Sequence, residues 1–389
     1  MKILIVADNY YPNVNGSSYF TQRLAFYLKR RGHEILVMSA SRSLRSEPFS
    51  HDGIDVFGIR SFSMGFIYND FRFSLPIGIK NIVESEIKRF RPDVIHIQDH
   101  FVISPVVQKV AGQMGIPMVG TNHFMPENLL HYLHLPGMLE QIAKQIAWAQ
   151  FRKIFEQLQV VTTPTKTAAA LLKEVNLTKP AIAVSNGVDL KKFRPDNSGD
   201  YLRKRYILPD KPILLYVGRL DREKNIDKVI LALAEALKKT DIHFLIAGKG
   251  AESEKLKKLV TELGLEKNIT FAGFVPDEDL PNLYTIANCF VIAGIAELQS
   301  LVTMEAMASK LPIVAVNAMA LPELVRHGEN GFLFELEDTQ GLSGYLVNIF
   351  SDENLRKKMS EKSLEIIQDH DINKTMFQFE SIYHQVLAR

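Results

Sequence analysis

The 389-residue chain has one cysteine, one tryptophan, almost no charge excess and no long apolar run, and each shortage excludes a class of protein. A single thiol can form neither an internal disulfide nor a cysteine-rich zinc site. Cys289 lies in the apolar run Cys289-Phe290-Val291-Ile292, which predicts a buried, inert thiol and suits a reducing compartment. The 46 Lys and Arg nearly balance 44 Asp and Glu, a formal charge of +2, so nothing marks nucleic acid as the main partner. No window approaches the roughly 20 apolar residues of a membrane-spanning helix. The opening stretch up to Asp8 has about five apolar residues, short of a signal-peptide core. There is no GxxxxGK[ST] phosphate loop, no short internal repeat and no low-complexity tract.

What is present is ordinary globular composition, 46% hydrophobic and 23% charged, which excludes disorder as the bulk state. The length exceeds the roughly 250 to 300 residues that one hydrophobic core serves, so two domains are expected. Short apolar runs alternate with longer helix-period segments, the pattern of parallel strands covered by helices on both faces. The first half predicts strands at Ile3–Ala7, Glu34–Ser39, Asp55–Ile59, Val94–Ile97, Met118–Thr121, Val160–Thr163 and Ile182–Val184. A polar, turn-rich stretch places a boundary near 186–211. A second series follows at Ile213–Val217, His243–Ala247, Ile269–Ala272, Phe290–Ala293, Ile313–Val316 and Phe332–Phe334. The fold class is α/β, two Rossmann-like halves. The charge is +5 before residue 190 and −3 from there on.

Ligands of open parallel sheets sit at the carboxyl ends of the strands, and several of those ends carry chemistry. Strand 213–217 runs into Gly218-Arg219-Leu220-Asp221-Arg222-Glu223-Lys224-Asn225. Arg219 can grip an anion with two parallel donors and Lys224 adds a point charge, which suits phosphate; the same bases also fit a solvated turn. Strand 290–293 leads into a loop containing Glu297 and Ser300. Ser300 is an N-cap candidate for a helix starting near Leu301, whose first N–H groups would form an anion site. Glu305 falls on that helix among Ala306, Met307 and Ala308. A carboxylate buried there needs a partner, which ribose hydroxyls or a salt-bridged helix face would supply. In the first half, residues 8–18 join the first strand to a helix beginning near Tyr19, with Gly16 allowing a ligand close to the backbone. His123 stands at the carboxyl end of strand 118–121, as a ligand contact or a packed ring. Gly248-Lys249-Gly250 is half of a GxGxxG and weak alone.

Two further groups have metal-ligand character. Asp277-Glu278-Asp279 has the D-x-D spacing of metal-dependent sugar transferases, but Pro276 and Leu280 around it predict a helix start with acids at the positive end of the dipole. His96, Asp99 and His100 are expected to be structural, because His96 belongs to an alternating strand.

Together these pieces resemble the GT-B glycosyltransferases, specifically the large retaining family 4 that uses nucleotide-diphosphate sugars, over nearly the whole chain. The likeness is carried by the loop around Gly16, His123, Val217-Gly218-Arg219 with Lys224, Asn186-Gly187-Val188-Asp189, and Glu297 to Glu305 as an E-x7-E motif. The resemblance implies an acceptor-side domain at 1–188 and a nucleotide-sugar domain at 189–370 facing it across a cleft, with 371–389 crossing back to the first. It implies Arg219 and Lys224 on the diphosphate, Glu305 on the ribose, the backbone at Ser300 and Leu301 on phosphate, the base near Phe274 and Val275, and Gly16 close to the ligand. Glu297, on the transferred sugar, and His123, orienting sugar or acceptor, would be the catalytic residues. No metal or other cofactor is implied beyond the nucleotide-sugar donor. The chemistry agrees: breaking an anomeric C–O bond to a diphosphate puts negative charge on phosphate and positive charge on the ring, so cations at one end and a carboxylate at the other stabilise the transition state. Retention of configuration is implied by the family alone. The chain departs from the family pattern in lacking glycine at Asn15, Ser300 and Lys310 and within 317–320.

Asn122-His123-Phe124-Met125-Pro126-Glu127-Asn128-Leu129-Leu130 is similar to the branch containing diacylglycerol glucosyltransferases. A helix carrying Leu139, Ile142, Ile146, Trp148, Phe151, Ile154 and Phe155, with Lys144, Arg152 and Lys153, fits either an anionic bilayer surface or a core-packed helix. Phe62, Phe66, Tyr68, Phe71 and Phe73 with Arg60 and Arg72 form a second aromatic and basic stretch, an acceptor loop or simple packing. The expectation is transfer of a hexose, glucose from UDP-glucose, to a lipid such as diacylglycerol by a cytoplasmic enzyme peripheral on the inner membrane face. A saccharide or lipid-linked saccharide is the alternative acceptor. A nucleotide-sugar epimerase and a silent nucleotide-sugar-binding protein are the other classes.

Overall fold

The structure, a computed structural model, describes residues 1–10, 16–63, 72–75, 77–125 and 137–388. The chain forms two compact units, Met1–Ser185 with Thr375–Arg389, and Asn186–Lys374.

The first unit is built on β1 (Lys2–Val6), β2 (Glu34–Ala40), β3 (Glu47–His51), β4 (Ile54–Ile59), the short ribbon β5 (Ser61–Ser63) and β6 (Arg72–Ser74), then β7 (Val94–Ile97), β8 (Met118–Thr121), β9 (Val160–Thr163) and β10 (Ala181–Ala183). Among the described residues one sheet runs β10-β9-β8-β7-β1-β2-β4-β3. Continuous apolar runs make its centre: Ile3, Leu4, Ile5 and Val6 are fully buried, as strands covered on both faces must be. All neighbours are parallel except β3, which pairs antiparallel with β4. Its sequence Glu47-Pro48-Phe49-Ser50-His51 has no apolar run, which is why the sequence shows no strand there. At the sheet edge its exposed side chains and Pro48 are tolerated. The ribbon's three-residue strands are equally faint. Phe66, Tyr68 and Phe71 lie outside the described residues, as does the side chain of Phe73.

The second unit holds β11 (Ile213–Val217), β12 (His243–Ala247), β13 (Ile269–Gly273), β14 (Cys289–Ile292), β15 (Ile313–Val316) and β16 (Gly331–Phe334), in the order β13-β12-β11-β14-β15-β16 and parallel throughout. In both sheets the order reverses beside the first strand, between β1 and β7 and between β11 and β14. Crevices for ligands open at such points. Burial pushes the Cys289 thiol up, so it stays protonated in the core.

The C-terminal helix Ile372–Leu387 ends in the first unit. It buries Met376, Phe379 and Tyr383. Glu380 accepts from Arg31 Nε at 2.8 Å and Nη2 at 2.6 Å and from His33 at 2.8 Å. His96 is buried and uses both ring nitrogens, on the Tyr383 hydroxyl at 2.8 Å and Thr121 Oγ1 at 2.6 Å, which gives it a structural role.

Candidate active site

In the second unit, the loops after β11 and β14 meet at the reversal point. Lys224 Nζ donates to Glu297 Oε1 at 2.7 Å, with 14% and 17% of the two side chains exposed, so this is a partly desolvated pair and not a solvated turn. Arg219 pairs with Asp221 and, at 3.1 Å, with Glu223. The loops are tied to each other by backbone. Asn225, held in the left-handed region at φ 49°, donates from Nδ2 to Ala293 O at 3.0 Å, and Ile295 N donates to Glu223 O at 3.3 Å. Gly294 lies close beside the pair: a Cβ there would stand 3.1 Å from Glu297 Oε1 and 3.3 Å from Lys224 Cδ, so both side chains would shift slightly to admit one. Below them the Tyr216 hydroxyl donates to Arg219 O at 2.7 Å, and burial raises its pKa well above the usual phenol value.

Ser300 caps the helix Leu301–Ala308, its hydroxyl accepting from Thr303 N at 3.3 Å. Glu305, 3% exposed, accepts from the Tyr284 hydroxyl at 3.0 Å, which answers the need for a partner. Gln299 Oε1 accepts from Asn186 N at 2.7 Å and so fastens the Asn186-Gly187-Val188-Asp189 stretch to this loop. Val275 is buried behind the exposed Phe274. Two positions that lack the family's glycine, Lys310 (φ 67°) and Met319 in the 317–320 stretch (φ 48°), adopt the left-handed backbone that glycine would occupy without strain. The helix Leu280–Thr285 starts where the sequence predicts, with Asp279 at its N-cap position, but the Asp279 side chain makes no cap hydrogen bond. Tyr201 and Arg205 take its two oxygens, and the Tyr201 hydrogen bond leads in holding its pKa below the usual value.

In the first unit, Gly16 opens the helix Gly16–Arg30, three residues ahead of the expected start. Among the described residues, and apart from its chain neighbours and its own helix backbone, nothing lies within 4 Å of where a Cβ at Gly16 would stand. The loop residues 11–15 before it lie outside the described residues. His123 rests against Phe20, ring centroids 4.6 Å apart, and its Nε2 donates to Gln98 Oε1 at 3.1 Å. Burial pulls its pKa to about 3, so the ring is neutral with Nδ1 as its lone-pair acceptor. The Gln98 Nε2 and Asn122 Nδ2 donors, at the ends of β7 and β8, are buried without a partner among the described residues. Beside them Asp8 and Asp99 form a buried pair: Asp8 N donates to Asp99 Oδ2 at 2.5 Å, and the Asp8 carboxyl accepts from Val102 and Ile103 N at 3.0 Å each. Burial, then the Asp99 charge, lifts the Asp8 pKa well above the carboxylate range.

The helix Gly137–Phe155 divides. Phe151, Ile154 and Phe155 are core, with Trp148 packed edge-on to Phe151 and Phe124, whereas Met138, Leu139, Ile142 and Ile146 are 77%, 52%, 47% and 62% exposed. A groove of about 530 Å³ lies along Ile142, Ile146, Arg152 and Val175. Among the described residues no helix is long and apolar enough to cross a membrane. Pro126 to Leu130 lie outside the described residues.

Sequence reasoning missed the acids Asp221 and Glu223, which read as ordinary turn residues; the signal is their alternation with the cations, Arg-x-Asp-x-Glu-Lys. It also missed Tyr284, Gln98 and Asn225, whose roles depend on contacts across the fold.

The profile described as Glycosyltransferase Family 4 matches residues 14–192, and that of Glycosyl transferases group 1 matches residues 200–365. The GDP-mannose-dependent alpha-mannosyltransferase of Corynebacterium glutamicum is 25% identical over 391 residues, covering 100% of this chain and 90% of the relative. The alpha-monoglucosyldiacylglycerol synthase of Streptococcus pneumoniae is 26% identical over 374 residues, covering 94% and 82%. Sucrose-phosphate synthase of Thermosynechococcus elongatus superimposes with a TM-score of 0.80 at 21% identity, covering 100% and 99%. HepE of Anabaena in complex with UDP-glucose gives 0.78 at 19% identity, covering 99% and 100%. With its two Rossmann-like sheets and both halves matched, the chain belongs to the GT-B glycosyltransferases of family 4.

Proposed function

We propose that the enzyme transfers glucose from UDP-glucose to diacylglycerol or a close lipid acceptor. The observation that carries the donor half is the Lys224–Glu297 pair beside Arg219 at the reversal point of the second sheet. Arg219, Lys224 and the first N–H groups after Ser300 receive the diphosphate as negative charge builds on it. Glu297 lies where the sugar ring gains positive charge. Glu305, already a hydrogen-bonded acceptor, takes a ribose hydroxyl, and the base lies near Val275. Gly16, at the start of its helix, carries no side chain to keep a ligand from the backbone. The HepE complex contains UDP-glucose, which supports that donor. Retention at the anomeric carbon is carried over from the family resemblance.

For the acceptor half, neutral His123 with the buried amides of Gln98 and Asn122 offers uncharged hydrogen-bonding groups suited to hydroxyls. The exposed apolar half of Gly137–Phe155, where Lys144 pairs with Glu140 at 3.3 Å, supports a peripheral enzyme on the cytoplasmic face of a membrane chiefly through its apolar side chains. The lipid-glycosylating relative points the same way. A GDP-mannose-dependent relative of greater coverage keeps mannose transfer and a saccharide acceptor as the second reading. The test is radiolabel transfer from UDP-glucose into an organic-extractable product, with diacylglycerol in mixed micelles. Diacylglycerol-dependent label in the organic phase is expected; label that appears only with GDP-mannose or a saccharide acceptor would replace this reading with the second.

A further inference from the structure

Two histidines of the first sheet, His96 in β7 and His123 just beyond β8, use their ring nitrogens differently. His96 spends both inside the protein, on Tyr383 and Thr121. His123 spends one. Its Nε2 meets Gln98 Oε1 at 3.1 Å, and among the described residues its Nδ1 has no hydrogen-bond partner. The ring is held in place: Phe20 packs on it, and Phe124 N donates to Asn122 Oδ1 at 2.9 Å, which fixes the backbone on either side of His123. Gln98 is 1% exposed, and its backbone N donates to Val6 O at 2.9 Å, so it is anchored to β1 as well.

A neutral imidazole carries one ring proton, and the nitrogen that holds it is the donor. An amide oxygen only accepts, so Gln98 Oε1 places that proton on Nε2 and leaves the Nδ1 lone pair to receive a hydroxyl. The ionisable groups of the surrounding elements do not compete for the ring. Burial is the cause of its own depressed pKa. Burial also pushes His96 and His100 down and Asp8, Asp99 and Tyr383 up, each toward its uncharged form. Arg23, one turn beyond Phe20 on the helix Gly16–Arg30, is a cation and favours the same neutral imidazole.

We propose that Gln98 is a positioning residue: by accepting from His123 Nε2 it fixes the tautomer in which Nδ1 accepts from a substrate hydroxyl. This rests on the reading above that His123 meets the sugar or the acceptor. The test joins nitrogen NMR of the histidine rings to turnover with UDP-glucose and diacylglycerol, for full-length wild type, Gln98→Met and Gln98→Glu. Loss of its signal in His123→Asn assigns the ring. In wild type the proton is expected on Nε2. Gln98→Met, similar in size but without the acceptor, should spread the proton over both nitrogens and lower turnover about tenfold, the scale of one hydrogen bond, with the donor KM within about twofold. Gln98→Glu should keep the proton on Nε2 and raise the imidazole pKa from about 3 by about 1–3 units, so its turnover falls more between pH 7 and pH 5 than wild type's does. A wild-type proton on Nδ1, a tautomer unchanged in Gln98→Met, or an imidazole pKa unmoved in Gln98→Glu overturns the role of Gln98 and leaves the substrate reading standing. A changed tautomer with turnover within about twofold of wild type overturns the use of Nδ1 by substrate. Absence of any transfer by wild type overturns the substrate reading and that use of Nδ1 with it.

Discussion

Glu305 illustrates the residue scale. A carboxylate 3% exposed on a helix of apolar neighbours is tolerable because the Tyr284 hydroxyl reaches it at 3.0 Å across the unit. Removing that hydroxyl leaves the largely buried carboxylate one donor short. Tyr284→Phe should therefore lower stability by about 1–3 kcal/mol in urea unfolding; no change would show that the contact contributes nothing. The need for a partner was legible from Glu305 among Ala306, Met307 and Ala308, but its identity was not, because Tyr284 lies twenty-one residues away on another helix. The same limit applies to the basic loop. Arg219 and Lys224 stand out by residue type and position, whereas the claim of Asp221 and Glu223 on Arg219 depends on how the turn folds, which spacing alone does not fix.

At the scale of elements, apolar runs located the buried strands to within a residue, since a parallel strand covered on both faces must be apolar throughout. The edge strand β3 escaped because its exposed positions carry no such demand. The helix Gly137–Phe155 has one apolar pattern with two fates, and sequence cannot tell core from exposed surface along it. Substitutions separate them. Phe151→Ala should cost about 3–5 kcal/mol, as expected for emptying an aromatic core site. Ile142→Gln with Ile146→Gln should change stability by no more than about 0.5 kcal/mol each while reducing sedimentation with phosphatidylglycerol vesicles. Vesicle binding that survives the double substitution would remove this face from the membrane reading.

For the whole molecule, acid acts unevenly. Burial depresses His96 and His123 to about 3 and His100 to about 4. A depressed histidine contributes stability that is present above its ordinary pKa of about 6.5 and lost as pH falls toward the folded value. Asp8, raised by burial, has the opposite sign: its contribution is complete below the ordinary carboxyl pKa and fades as pH rises through its raised value. Asp99, raised by burial as well, acts as Asp8 does, and His51, lowered mainly by burial, joins the other three imidazoles; all belong to the first unit. Trp148, the only tryptophan, lies in the same unit and reports on it. Its fluorescence should show a lower urea midpoint at pH 5 than at pH 7; equal midpoints would contradict the buried, neutral state of these histidines.

The most direct measurement of the central claim is UDP release from UDP-glucose in the presence of diacylglycerol by wild type, Glu297→Ala and Lys224→Ala. The two residues form one ion pair, with Lys224 assigned to the leaving diphosphate and Glu297 to the sugar, so both variants should lose at least about a hundredfold in turnover while remaining folded. Near-wild-type turnover in either folded variant would contradict the placement of the reaction at this pair.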